Sequence, residues 1–127
     1  MTFLGFLAVG AGAALGAWLR WWLGLLLNTV FPTLPLGTLA ANLVGGLLMG
    51  FAMALVSQYE SLPAEMRLLV MTGFLGGLTT FSTFSAETVT LLVREQFGWT
   101  ALIVLAHVVG SILMTLSGVG IMKLVLR

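Results

Sequence analysis

Cysteine and aspartate are absent from the 127 residues, and histidine occurs once, at His107. Without cysteine there is no disulfide framework, thiol nucleophile or thiolate metal site. One histidine and four glutamates leave few parts for hydrolytic chemistry, so no enzyme activity is expected. Charge is scarce as well: 7% of residues are charged, against roughly a quarter in a soluble domain. A net charge of +1 without a basic run excludes an electrostatic footprint for nucleic acid. The first residues, Thr2-Phe3-Leu4, lack the basic segment of a signal peptide, and the apolar run continues to Leu27, so a retained membrane helix is expected.

What the chain has is apolar length. Hydrophobic residues make up 60% of it, which marks an integral, multi-pass membrane protein. The sequence divides into a single all-α domain, residues 1–127, with four spans at about 3–27, 37–56, 66–94 and 99–124. Pro32 and Pro35 punctuate the first connection, and Pro63 followed by Glu65 suits the start of the third helix. In the first span Ala8, Gly12, Gly16, Arg20 and Gly24 fall on one face, and small residues at this spacing admit close helix approach. Arg20 has two readings: it points into protein, or it snorkels to the interface beside Trp18, Trp21 and Trp22.

The third span breaks the pattern. From Gly73 to Glu87 it carries three glycines and then five hydroxyl residues interleaved with Phe81 and Phe84. Glycine and consecutive threonines weaken a helix, and a break facing lipid would leave backbone groups unpaired at several kcal/mol each. An unwound patch near 76–80, enclosed by protein or lining a polar cavity, is therefore expected. Carbonyls freed there could hold a small hard cation such as Na+.

The remaining intramembrane polar residues are Thr38 and Asn42 on the second span, Thr79, Thr80, Ser82, Thr83, Ser85 and Glu87 on the third, and His107, Ser111 and Thr115 on the fourth. The last three recur every fourth residue and form one stripe. Most are neutral groups with hydrogens to donate, which suits a desolvated anion better than a cation. Phenyl rings carry a positive edge, so Phe81 and Phe84 fit the same task. Any of these residues also has an ordinary packing role open to it, and hydroxyls in membrane helices commonly bond back to a carbonyl.

Lysine and arginine are almost balanced between the two sides: Arg67, Lys123 and Arg127 on one, Arg20 and Arg94 on the other. Orientation follows such a bias, so three against two leaves two readings open: insertion both ways with an antiparallel pair of identical subunits, or a single orientation set by subtler features.

The segments Gly16-Ala17-Trp18-Leu19-Arg20, Gly37-Thr38-Leu39-Ala40-Ala41-Asn42 and Gly73-Phe74-Leu75-Gly76-Gly77-Leu78-Thr79-Thr80-Phe81-Ser82-Thr83-Phe84-Ser85 resemble the Fluc fluoride channels, also called the CrcB family. The resemblance spans essentially the whole chain, and the third segment is its most specific part. It implies a dual-topology antiparallel homodimer in the cell (inner) membrane, with two separate pores that pass F- out of the cell and protect against fluoride toxicity. It also implies that Asn42, Phe81 and Phe84 line the pore, that Ser111 occupies a polar track, and that Glu87 stands near one mouth. Gly76 and Thr79 would give backbone carbonyls to a structural Na+ at the dimer centre, while His107 stands where members of the family vary.

Two other classes fit parts of the pattern. A small proton-coupled multidrug exporter shares the length and span number but needs a membrane-embedded carboxylate, for which Glu87 is the sole candidate. A non-transporting scaffold subunit would not require polar residues aligned on several helices.

Overall fold

A computed structural model describes all 127 residues and contains helices and turns only. Helix α1 covers Phe3–Leu27, begun by the Thr2 hydroxyl, which accepts from the Gly5 amide at 3.0 Å and so satisfies one of the free amides of the first turn. Helix α2 covers Leu36–Gln58 and follows the proline-containing turn. The third span is composite: α3 (Ala64–Arg67), a π-helical stretch Leu68–Leu75, the short α4 (Gly76–Leu78), two extended residues and then α5 (Phe81–Val93). A tight connection through Glu95, whose φ is 57°, leads to α6 (Phe97–Val125). Four spans in all are long and apolar enough to cross a membrane.

Only 19 of 127 residues are buried in the protomer, so most apolar side chains face outward, as lipid-embedded helices require. Trp18, Trp21 and Trp22 are all exposed on α1, in keeping with an aromatic belt. Inside, the helices approach to backbone contact. A Cβ on Gly16 would collide with the Phe74 carbonyl oxygen, and one on Gly50 with that of Thr115. These contacts seat α1 on the third span and α2 on α6.

The break is narrower than residues 76–80. Gly76, Gly77 and Leu78 stay helical, and only Thr79 (φ −81°, ψ 154°) and Thr80 (φ −148°, ψ 118°) are extended. Packing against α1 accounts for the difference. A Cβ on Gly77 would collide with the Ala13 carbonyl oxygen, so this glycine serves a close crossing and not a loop. Arg20 Nε donates to the Gly77 carbonyl at 3.0 Å, which resolves its two readings in favour of the inward one. The π-helical winding before the break has no counterpart in the sequence pattern.

Candidate functional site

The extended pair Thr79-Thr80 leaves backbone groups that the helix would otherwise satisfy, and α2 answers with Asn42. Its Oδ1 accepts from the Thr80 amide at 2.7 Å, and its Nδ2 donates to the Thr80 carbonyl at 3.0 Å. The side chain thus pairs with Thr80 as a neighbouring strand would. Because the Thr80 amide can only donate and its carbonyl only accept, the orientation of the Asn42 amide is fixed by backbone chemistry. The second Nδ2 hydrogen goes to His107 Nδ1, 2.9 Å away on α6.

Around this clamp lies a groove of about 450 Å³ between α2, the break and α6. Asn42, Phe81, Phe84, His107, Ser111 and Thr115 all line it. The rings form a relay: Phe84 stacks on His107 with centroids 4.5 Å apart and meets Phe81 edge-on at 5.5 Å and 79°. Phe84 is buried whereas Phe81 is 76% exposed in the protomer. The whole stripe expected on the fourth span is therefore here, together with both phenylalanines and Asn42.

The donors are not equally free. Both Asn42 hydrogens are committed within the protomer. The Thr115 hydroxyl is shared between the carbonyls of Gly46 (2.9 Å) and Ser111 (3.0 Å). Ser111 lines the groove without such a commitment.

Three other residues are placed elsewhere. Thr38 donates to Glu87 Oε1 at 2.6 Å, and Glu87 Oε2 is enclosed without a partner. Glu87 borders a separate cavity of about 210 Å³ with Arg94 and Gln96, and Thr38 borders a third, of about 490 Å³, with Arg20. Ser82 is exposed and lies outside the groove, its hydroxyl 3.4 Å from that of Thr80. Thr80, one of the polar residues of the third span, enters the site through its backbone, which Asn42 pairs on both sides.

Gly76 and Thr79, the residues expected to hold a cation, also line the groove. Their carbonyls have lost the usual partners four residues on: the Thr80 amide is taken by Asn42, and the Thr83 amide by the Thr80 hydroxyl at 3.1 Å. Backbone oxygens freed on either side of a helix break suit a hard cation. Gly76 is exposed, and a Cβ there would meet nothing nearer than 4.0 Å, so this face is open.

Residues 7–119 match the family described as CrcB-like protein, Camphor Resistance (CrcB). The chain belongs to this family. Among its relatives, the "Fluoride-specific ion channel FluC" of Nitrosospira multiformis is 63% identical over 116 residues, covering 91% of each chain. The protein of the same name from Aromatoleum aromaticum is 62% identical over 113 residues, 89% of this chain and 86% of the relative. That of Ralstonia pickettii is 58% identical over 118 residues, 93% and 94% respectively. The CrcB match includes the groove, the Asn42 clamp and the break, so the whole of the candidate site lies within the family's shared region.

Proposed function

We propose that this CrcB-family chain is a fluoride-selective channel that lets F- leave the cell passively and so protects against fluoride toxicity. The observation that carries this reading is the groove, in which hydroxyl, imidazole and phenyl-edge groups line one wall of an apolar membrane protein. Fluoride yields its water only where donors replace that shell in succession, and the relatives bearing the FluC name support the choice of ion. The test is fluoride efflux from liposomes containing only the purified chain, with chloride and proton fluxes followed alongside. Proton-coupled export of a cationic compound, or no flux at all, would favour the exporter or the scaffold.

The active species in this proposal is an antiparallel homodimer with two pores, in which a second copy closes each groove. Its motivation is the balance of Arg67, Lys123 and Arg127 against Arg20 and Arg94, together with the exposure of Phe81 and Gly76. Adding lysines to the Ser57–Pro63 connection should force one orientation and silence the protein, and co-expression with an oppositely biased version should restore it. Full flux from a single forced orientation would refute the antiparallel arrangement.

A structural Na+ held by the Gly76 and Thr79 carbonyls belongs to the same assembly, its charge offsetting oxygen dipoles that the helix no longer satisfies. Thermal unfolding in detergent should occur at higher temperature in Na+ than in a large organic cation, and Thr79→Ser should preserve the difference because the ligands are backbone atoms. A melting curve indifferent to Na+ would exclude the site.

A further inference from the structure

A further cavity, of about 340 Å³, lies where the last turns of α2 meet the start of the third span. It shares no lining residue with the groove, so a second copy that closes the groove does not thereby fill it. Its volume falls within the range of ligand-holding cavities, roughly 300–1,000 Å³. Ala52, Val56 and Met71 give it apolar walls, and Tyr59 and Val70, both exposed, open it outward. Arg67 is the one charged residue that lines it.

The hydrogens of Arg67 are only partly used. Nη2 donates to the Glu60 carbonyl at 2.8 Å, and Nε is enclosed. Nη1 makes no hydrogen bond within the protomer and is not enclosed, so its two hydrogens are open to a ligand. Glu60 engages the arginine through its backbone and not through its carboxylate, which leaves the positive charge without an anion. A guanidinium beside an apolar slot, one turn from the connection at the end of α2, stands at headgroup level, where Tyr59 also belongs.

We infer that this cavity is a phospholipid site, in which an acyl chain lies between α2 and the third span and the phosphate accepts from Nη1 of Arg67. Guanidinium and phosphate make strong charge-assisted bonds, and basic pockets between membrane helices hold lipid headgroups in this way. Glu60 and Glu65 flank Arg67 in the sequence, so the group selected is the phosphate common to phospholipids and not a net negative headgroup. The inference stands whatever ion the groove carries.

Delipidated protein in detergent, titrated with dioleoyl phosphatidylglycerol or with dioleoylglycerol, separates the phosphate from the chains, and native mass spectrometry reads the lipid retained. The wild type should retain the phospholipid roughly ten- to hundredfold better than the diacylglycerol, the range expected for a hydrogen bond to a charged group. Arg67→Gln should lose that preference. Val56→Phe, which fills the slot with a ring, should lose retention of the phospholipid with Arg67 intact. Added phospholipid should raise the melting temperature of the wild type and of neither variant. Arg67→Gln also gives up the bond to Glu60, so if that variant fails to assemble, the wild-type comparison of the two lipids decides alone. Equal retention of both lipids by the wild type, or a wild-type preference in an assembled Arg67→Gln variant, overturns the inference. So does a Val56→Phe variant whose oligomeric state changes on size exclusion while its lipid retention does not, for the slot then belongs to a second copy of the chain.

Discussion

Asn42→Asp should abolish fluoride flux while the protein still inserts and assembles. The substitution keeps shape but replaces the amide nitrogen by oxygen at two contacts, 3.0 Å from the Thr80 carbonyl and 2.9 Å from His107 Nδ1. Each becomes an acceptor facing an acceptor, a loss of about 1–3 kcal/mol for each buried group left unsatisfied. The imidazole can relieve its own contact by moving the proton to Nδ1, but the contact with the Thr80 carbonyl has no such remedy. A negative charge on the groove wall adds direct repulsion of an anion in a medium of low dielectric. Flux is read in liposomes, and size-exclusion chromatography in detergent checks assembly. Fluoride flux at the wild-type rate from a correctly assembled Asn42→Asp variant would mean that neither the clamp nor the groove matters for the ion.

The phenylalanines should divide in a second way. Phe81→Ile and Phe84→Ile each keep apolar bulk and remove the ring's positive edge. If an edge is worth about 1.4 kcal/mol to the crossing ion, each change slows flux about tenfold. Stability should separate them. Phe84 is buried, stacks on His107 and anchors an apolar cluster with Leu91 and Ile103, so its loss destabilises the protomer by roughly 1–2 kcal/mol. Phe81 is exposed in the protomer, so its replacement leaves protomer stability nearly unchanged. Thermal unfolding of the two variants in detergent checks this division. Unaltered fluoride rates in both would reduce the rings to packing and remove the edge-on account.

Much of this was legible because the bilayer imposes strong rules on sequence. Span length, the prolines between spans, and small residues on the Gly12-Gly16-Arg20 face all follow from what lipid forbids, and each has its counterpart in the helices and their crossings. The groove was legible in kind, since buried polar residues on several helices must find one another. Its internal wiring was not. Whether an asparagine spends its hydrogens on an ion or on a neighbouring backbone depends on ångström placement, and Asn42 faces Thr80 only because α2 crosses the break there. Likewise the glycines of residues 76–77 read as loop formers, yet a backbone packed against Ala13 and tied to Arg20 kept them helical. The π-helical stretch Leu68–Leu75 has no compositional signature at all.

The bond between Arg20 and the Gly77 carbonyl joins residues 57 positions apart. A ribosome adding about 5–20 residues per second therefore makes the first span roughly 3–11 seconds before its partner exists. During that interval a guanidinium in a membrane helix is opposed by about 2.5–3.5 kcal/mol or must stretch toward the headgroups beside the tryptophans. The two partners of this bond are thus separated in time of synthesis as well as in sequence, and until the third span is made the charge of Arg20 has only the headgroup region to turn to.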